Sequence, residues 1–164
     1  MRAVIVDTSA LIFLGRLHRL RLAQVLGSVV VPGPVMEELV RGRGKDPDTV
    51  GRVEDWIRRE RLEVRAVRLP PGFHPSLGVG ERAVLRAASE EKDPVLLVDE
   101  GPARRVAKHL GYRVLSTPYV LLEGVRVRAI TPLEGQMDLD RLVALGYFLD
   151  ARLFAELKTI LGEL

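Results

Sequence analysis

Short, continuous aliphatic blocks alternate along this chain with longer stretches in which apolar residues recur every third or fourth position. The blocks at residues 3–7, 29–31 and 95–99 read as strands buried on both faces, as the inner strands of a parallel sheet are. A helical pattern covers residues 9–26 with a break predicted near Gly15, and Pro34 is placed as the first-turn proline of a helix ending near Val40. Residues 41–47, Arg-Gly-Arg-Gly-Lys-Asp-Pro, predict a basic, flexible loop. Val53, Trp56 and Ile57 then mark a helix, and Leu62, Val64, Ala66 and Val67 a further strand. Beyond a loop over residues 70–78, the pattern predicts helix 80–91, strand 95–99, helix 102–110, strand 112–115 and helix 118–128. The last third changes character. Leu139, Leu142 and Val143, then Leu153, Phe154, Leu157, Ile160 and Leu161, trace two amphipathic helices broken near Gly146. This alternation specifies an α/β fold, and the terminal helices are expected to complete its core rather than stand apart as a partner-binding element.

A chain of 164 residues with 47% hydrophobic content supports one compact domain. Residues 1–130 are expected to form its α/β body and residues 131–164 a helical extension packed on the same domain. No apolar run is long enough to span a bilayer, and the N-terminus has no signal-peptide pattern, so no membrane association and a cytoplasmic location are expected. The absence of cysteine removes disulfides, thiolate zinc sites and cysteine nucleophiles. The net charge of +3 rests on arginine, since lysine occurs only at Lys45, Lys92, Lys108 and Lys158. Arginine suits bidentate contact with phosphate, although a modest net charge fits ordinary solubility equally well. A chain without asparagine and with only Gln24 and Gln136 as glutamines also fits a thermophilic source, which would account for the arginines without any polyanion.

The acids are more informative. Asp7 closes the first strand and Asp99 the strand at residues 95–99, while Glu37 and Glu38 stand in the helix opened by Pro34 and Glu81 starts the helix after Gly78-Val79-Gly80. Ligand sites of open α/β sheets lie beyond the carboxyl ends of the strands, so these separate acids point to one crevice. Taken singly, each has a plainer use: an aspartate before a helix caps it, and a glutamate in a first turn complements the helix dipole. Taken together they exceed what capping requires, and converging carboxylates ask for a hard cation.

The blocks carrying these acids are Val6-Asp7-Thr8-Ser9-Ala10-Leu11, Val31-Pro32-Gly33-Pro34-Val35-Met36-Glu37-Glu38-Leu39, Gly78-Val79-Gly80-Glu81-Arg82-Ala83 and Leu97-Val98-Asp99-Glu100-Gly101-Pro102-Ala103-Arg104. In this order they resemble the acidic motifs of PIN domains. The segment Gly146-Tyr147-Phe148-Leu149 before the last helix resembles a prokaryotic PIN subgroup with two additional C-terminal helices. The resemblance implies a three-layer α/β/α fold around a mainly parallel sheet and a metal-dependent ribonuclease centre. By position, Asp7, Glu38, Glu81 and Asp99 match the family's acidic quartet. Glu38 is preferred over Glu37 because the family glutamate precedes a leucine. Glu100 departs from the pattern, since relatives often carry aspartate there, and its part in holding metal is left open. The implied cofactor is Mg²⁺ or Mn²⁺, with Asp7 and Asp99 as principal ligands and Glu38 and Glu81 completing the shell directly or through water.

RNA is the implied substrate. Thr8 and Ser9 are candidates to orient Asp7 or touch phosphate, and Arg104 and Arg105, following Asp99 on its helix, are candidates to bind the RNA backbone. Arg41, Arg43, Lys45 and Lys108 are further cations that could border the crevice, and for all of these cations an ordinary solvated surface is at least as good a reading. Aromatic content of 5% argues against a base-stacking platform. Residues 42–46 lack the pattern of a P-loop, residues 78–80 lack that of a dinucleotide fingerprint, and His18, His74 and His109 have no metal-ligand spacing. No nucleophile-elbow motif surrounds any serine. Two functions follow from the resemblance: an endoribonuclease, including the toxin of a toxin-antitoxin pair held by an antitoxin protein, or a catalytically weak PIN-like module that binds RNA or protein. The apolar C-terminal helices permit a homodimer.

Overall fold

The computed structural model describes residues 1–99 and 101–164, so the sequence reading of Glu100 lies outside the described residues. Among the described residues the sheet is built from β1 (Ala3–Val6), β2 (Ser28–Pro32), β3 (Glu63–Arg65), β4 (Val95–Leu97) and β5 (Arg113–Leu115). All pairings are parallel, in the order β3-β2-β1-β4-β5. The strands are short but aliphatic, and Val4, Ile5, Val6, Leu96 and Leu97 have no exposure at all. Such strands need cover on both faces, which the connecting helices supply.

The first connections, through α1 (Thr8–Arg16) with α2 (Leu22–Val25) and then α3 (Gly33–Arg41) with α4 (Pro47–Glu60), step from β1 toward β3. The later ones, through α5 (Val79–Ser89) and α6 (Gly101–His109), cross back to β4 and continue to β5. Helices flank the parallel sheet in a three-layer arrangement, and α3 of the first set packs against α5 of the second near the strand ends. The reversal of strand order makes the β1/β4 boundary the topological switch point, where a crevice opens beyond the carboxyl ends of the strands. Expected and observed elements agree in type throughout, and the sheet is wholly parallel.

The chain then forms α7 (Thr117–Arg126), α8 (Pro132–Ala144) and α9 (Ala151–Glu163). Leu139, Leu142, Leu157 and Leu161 of the last two helices are buried in the same core as the sheet. A second tie is electrostatic: Arg19 Nε donates to the buried Asp138 Oδ2 at 2.6 Å, joining the α1–α2 connection to α8.

The break expected near Gly15 is present: α1 ends at Arg16, and the chain turns through His18, whose φ of 58° is left-handed. Gly15 is a packing position, because a Cβ there would stand 2.8 Å from Thr49 Cγ2 on α4. The basic loop is also tied down: Arg16 pairs with Asp46 at 2.9 Å, and Arg43 forks onto Glu54 at 2.7 and 2.6 Å.

Candidate active site at the strand ends

Asp7 immediately follows β1, and its backbone N–H donates to Leu97 O at 3.0 Å, so the β1–β4 ladder continues to this residue. Asp99 lies two residues past β4. Both acids therefore lie just past the carboxyl ends of the two adjacent strands that meet at the switch point. Asp7 is buried, at 4% exposure, and Oδ1 accepts the Thr8 N–H at 2.8 Å as the N-cap of α1. This carboxylate rests on the positive end of a helix, where it is stabilised by about 0.3–1 kcal/mol or more when partly buried.

The same arrangement recurs at the other acids. Glu38, in the second turn of α3, places Oε1 2.8 Å from the Gly80 N–H in the first turn of α5, and accepts the Thr8 hydroxyl on Oε2 at 2.8 Å. It is clamped between the starts of α1 and α5. Space for it exists only because residue 80 is glycine, since a Cβ there would lie 2.7 Å from both carboxylate oxygens. Glu81 turns back to the Gly78 N–H at 3.3 Å, at the N-terminus of α5. Glu37 is exposed on the outer side of α3, in keeping with the preference for Glu38.

Asp99 does not cap the helix that follows it. Oδ1 accepts the Thr117 N–H at 2.8 Å and Oδ2 the Thr117 hydroxyl at 2.7 Å, so it sits on the N-terminus of α7, reached across β5. A third donor comes from the far end of the chain. The Tyr147 hydroxyl, on the α8–α9 connection, donates to Oδ1 at 2.6 Å. Burial and the adjacent Asp99 carboxylate push the Tyr147 phenol well above its ordinary value, with Ser116 and Arg104 pulling the other way, so it remains a protonated donor. Tyr147 packs edge-on against Phe13 of α1, with ring centroids 5.0 Å apart. Neither Gly80, Thr117 nor Tyr147 was expected at the site. Only Ser116-Thr117-Pro118, a helix-start signature after a strand, marked one of them in sequence.

Thr8, expected near Asp7 or phosphate, gives its N–H to Asp7 and its hydroxyl to Glu38. Ser9 Oγ is buried and has no hydrogen-bond partner among the described residues. Arg104 is close enough to Tyr147 to act on it electrostatically, while Arg105 is exposed and bends over Gly101. A cavity of about 710 Å³ lies elsewhere, lined by Leu22, Trp56, Arg59 and Ile130 among others and by none of the quartet.

The donors at the crevice are all hard oxygen, and no sulfur or imidazole joins them, which fits Mg²⁺ or Mn²⁺. Among the described residues no three such acidic groups stand close enough to enclose an ion. This fits the way Mg²⁺ is held, by one or two carboxylates with water and substrate phosphate filling the remaining positions.

No curated protein matches the chain. The model of a PIN-domain family matches residues 3–163, so it spans the sheet, the acids and both terminal helices. PIN domains are generally nucleases that act on RNA and typically use divalent metals, and this chain has their nuclease-type fold. No helix among the described residues is long and apolar enough to cross a membrane. With its parallel sheet, the acids at its switch point and a match over nearly its whole length, this chain belongs to the PIN-domain family.

Proposed function

We propose that the protein is a metal-dependent endoribonuclease that hydrolyses RNA phosphodiesters at the β1/β4 crevice. The observation that supports this reading is that Asp7 and Asp99 follow the two adjacent strands of the switch point, each carboxylate resting on a helix N-terminus. Asp7 and Asp99 would hold Mg²⁺ or Mn²⁺, with Glu38 and Glu81 completing the shell directly or through water. When bound, the ion would supply a water of lowered pKa and positive charge to offset charge on the leaving 3′ oxygen. The remaining work falls to this chain's own groups. Thr8 and Gly80 fix Glu38, Thr117 fixes Asp99, and the buried Ser9 hydroxyl, without a partner among the described residues, would orient Asp7 or, once uncovered, touch a phosphate oxygen. Arg104 would anchor the RNA backbone beside Asp99, with Arg105 at the rim.

The reading extends to a cytoplasmic enzyme whose crevice an antitoxin protein or a second copy of the chain would cover, as for the toxin of a toxin-antitoxin pair. A thermophilic source is supported by ion-pair clusters such as Arg65 with Glu63 and Glu91, at 2.5 and 2.8 Å.

The test is cleavage of a mixed pool of structured and single-stranded RNAs with Mn²⁺, Mg²⁺ or EDTA, run beside the Asp7→Asn/Asp99→Asn double variant. Cleavage by the wild type that EDTA abolishes and the variant lacks supports the nuclease. Undiminished RNA binding without cleavage under any metal would replace it with a PIN-like binding module.

A further inference from the structure

The α8–α9 connection is too short and too well anchored to be a passive linker. Helix α8 ends in a Schellman motif: Gly146, at φ 99°, donates its N–H to Val143 O at 3.0 Å, and Tyr147 donates its N–H to Leu142 O at 3.1 Å. Helix α9 begins at Asp150, whose Oδ1 accepts the N–H groups of Arg152 and Leu153 at 2.8 and 3.2 Å. Between these caps Tyr147 and Leu149 turn inward and Phe148 outward, at 89% exposure. The strap is fixed at both ends, and the group it delivers is the Tyr147 hydroxyl.

A carboxylate offers about four acceptor positions, two on each oxygen. On Asp99, Oδ1 has both filled, by the Thr117 N–H and the Tyr147 O–H, and Oδ2 has one filled, by the Thr117 hydroxyl. We infer that Tyr147 is a positioning residue for metal binding: by occupying the last acceptor position of Oδ1 it locks the Asp99 carboxylate and restricts it to one cation contact, through Oδ2. This rests on the reading of Asp99 as a metal ligand. One-oxygen ligation suits the small, octahedral Mg²⁺ and Mn²⁺, whereas Ca²⁺ accepts both oxygens of a carboxylate. The terminal helices thus complete the site and bias its choice of ion, with Phe13 of α1 holding the tyrosine ring from the Asp7 side.

The experiment compares Mn²⁺ and Ca²⁺ affinities, by calorimetry on the metal-free full chain, for wild type, Asp99→Asn, Tyr147→Phe and Phe148→Ala. Each is measured well below its own metal-free melting temperature. Tyr147→Phe keeps the ring contact with Phe13 and removes only the hydroxyl. Phe13→Leu provides a second, milder perturbation that retains the hydroxyl but loosens the ring. The expected result is Mn²⁺ affinity lowered about 10- to 100-fold in Tyr147→Phe, a smaller loss for Ca²⁺, an intermediate Mn²⁺ loss in Phe13→Leu and none in Phe148→Ala. Wild-type Mn²⁺ affinity and an unchanged Mn²⁺/Ca²⁺ ratio in Tyr147→Phe would overturn the inference and leave the nuclease standing. Undiminished metal binding by Asp99→Asn would instead remove the reading on which the inference rests.

Discussion

Glu38 and Asp99 are held by groups that a sequence scan passes over. Gly80 is the sharpest case, because its missing side chain is what admits Glu38. Gly80→Ala favours the helix intrinsically by about 0.8–1 kcal/mol, yet its Cβ drives the Glu38 carboxylate from its place. The expected outcome is a melting temperature within a few degrees of wild type and RNA cleavage reduced about 10- to 100-fold, read by parallel calorimetry and activity assays. Tyr147 makes a prediction in pH. Its pKa is raised above the unfolded value of about 10, so the stability it contributes is fully present below pH 10 and is lost as pH rises beyond it. Denaturant titrations should show that alkaline loss in the wild type and a smaller one in Tyr147→Phe. Asp7 and Asp99 were legible because they end apolar strands. Gly80, Thr117 and Tyr147 were not, because they meet their acids from 42, 18 and 48 positions away in the chain, and no local pattern encodes such a meeting.

At the scale of elements, helix N-termini organise the site: α1 receives Asp7, α5 receives Glu38 and Glu81, and α7 receives Asp99. Periodicity and proline placement fixed these helices to within a residue or two. In the first stretch the break falls near Gly15 as expected, but for a different reason: Gly15 is glycine to let α4 approach, and the left-handed turn is made at His18. The terminal helices carry the other hidden link. Asp138 of α8 is 2% exposed and paired with Arg19, so Asp138→Ala takes away the close partner of a guanidinium whose other acid, Glu134, stands at 3.9 Å. Arg19 keeps about a quarter of its side-chain surface in water, which places the cost near the low end for a buried pair, about 3 kcal/mol. For a chain of this size that is a drop of roughly 6–12 °C in melting temperature, measurable by calorimetry.

For the whole molecule, the strand order 3-2-1-4-5 decides where chemistry sits, by putting β1 and β4 together at the switch point. Parallel alternation and the order of the acidic blocks were readable from sequence, so the fold and the location of the crevice were expected before the coordinates. The docking of the α8–α9 strap onto Asp99 was not, because hydrophobic spacing predicts that two helices pack without predicting what their connection touches. The most direct test of the central claim, that Asp7 and Asp99 act as one metal-holding pair in RNA hydrolysis, is a double-mutant cycle in single-turnover cleavage with Mn²⁺. Groups that act as a unit are non-additive. Asp7→Asn and Asp99→Asn should each lower the rate by about a hundredfold or more, with the double variant no more than a few-fold worse than either. Losses that multiply, or cleavage that survives in the double variant, would contradict the pairing and place the site elsewhere.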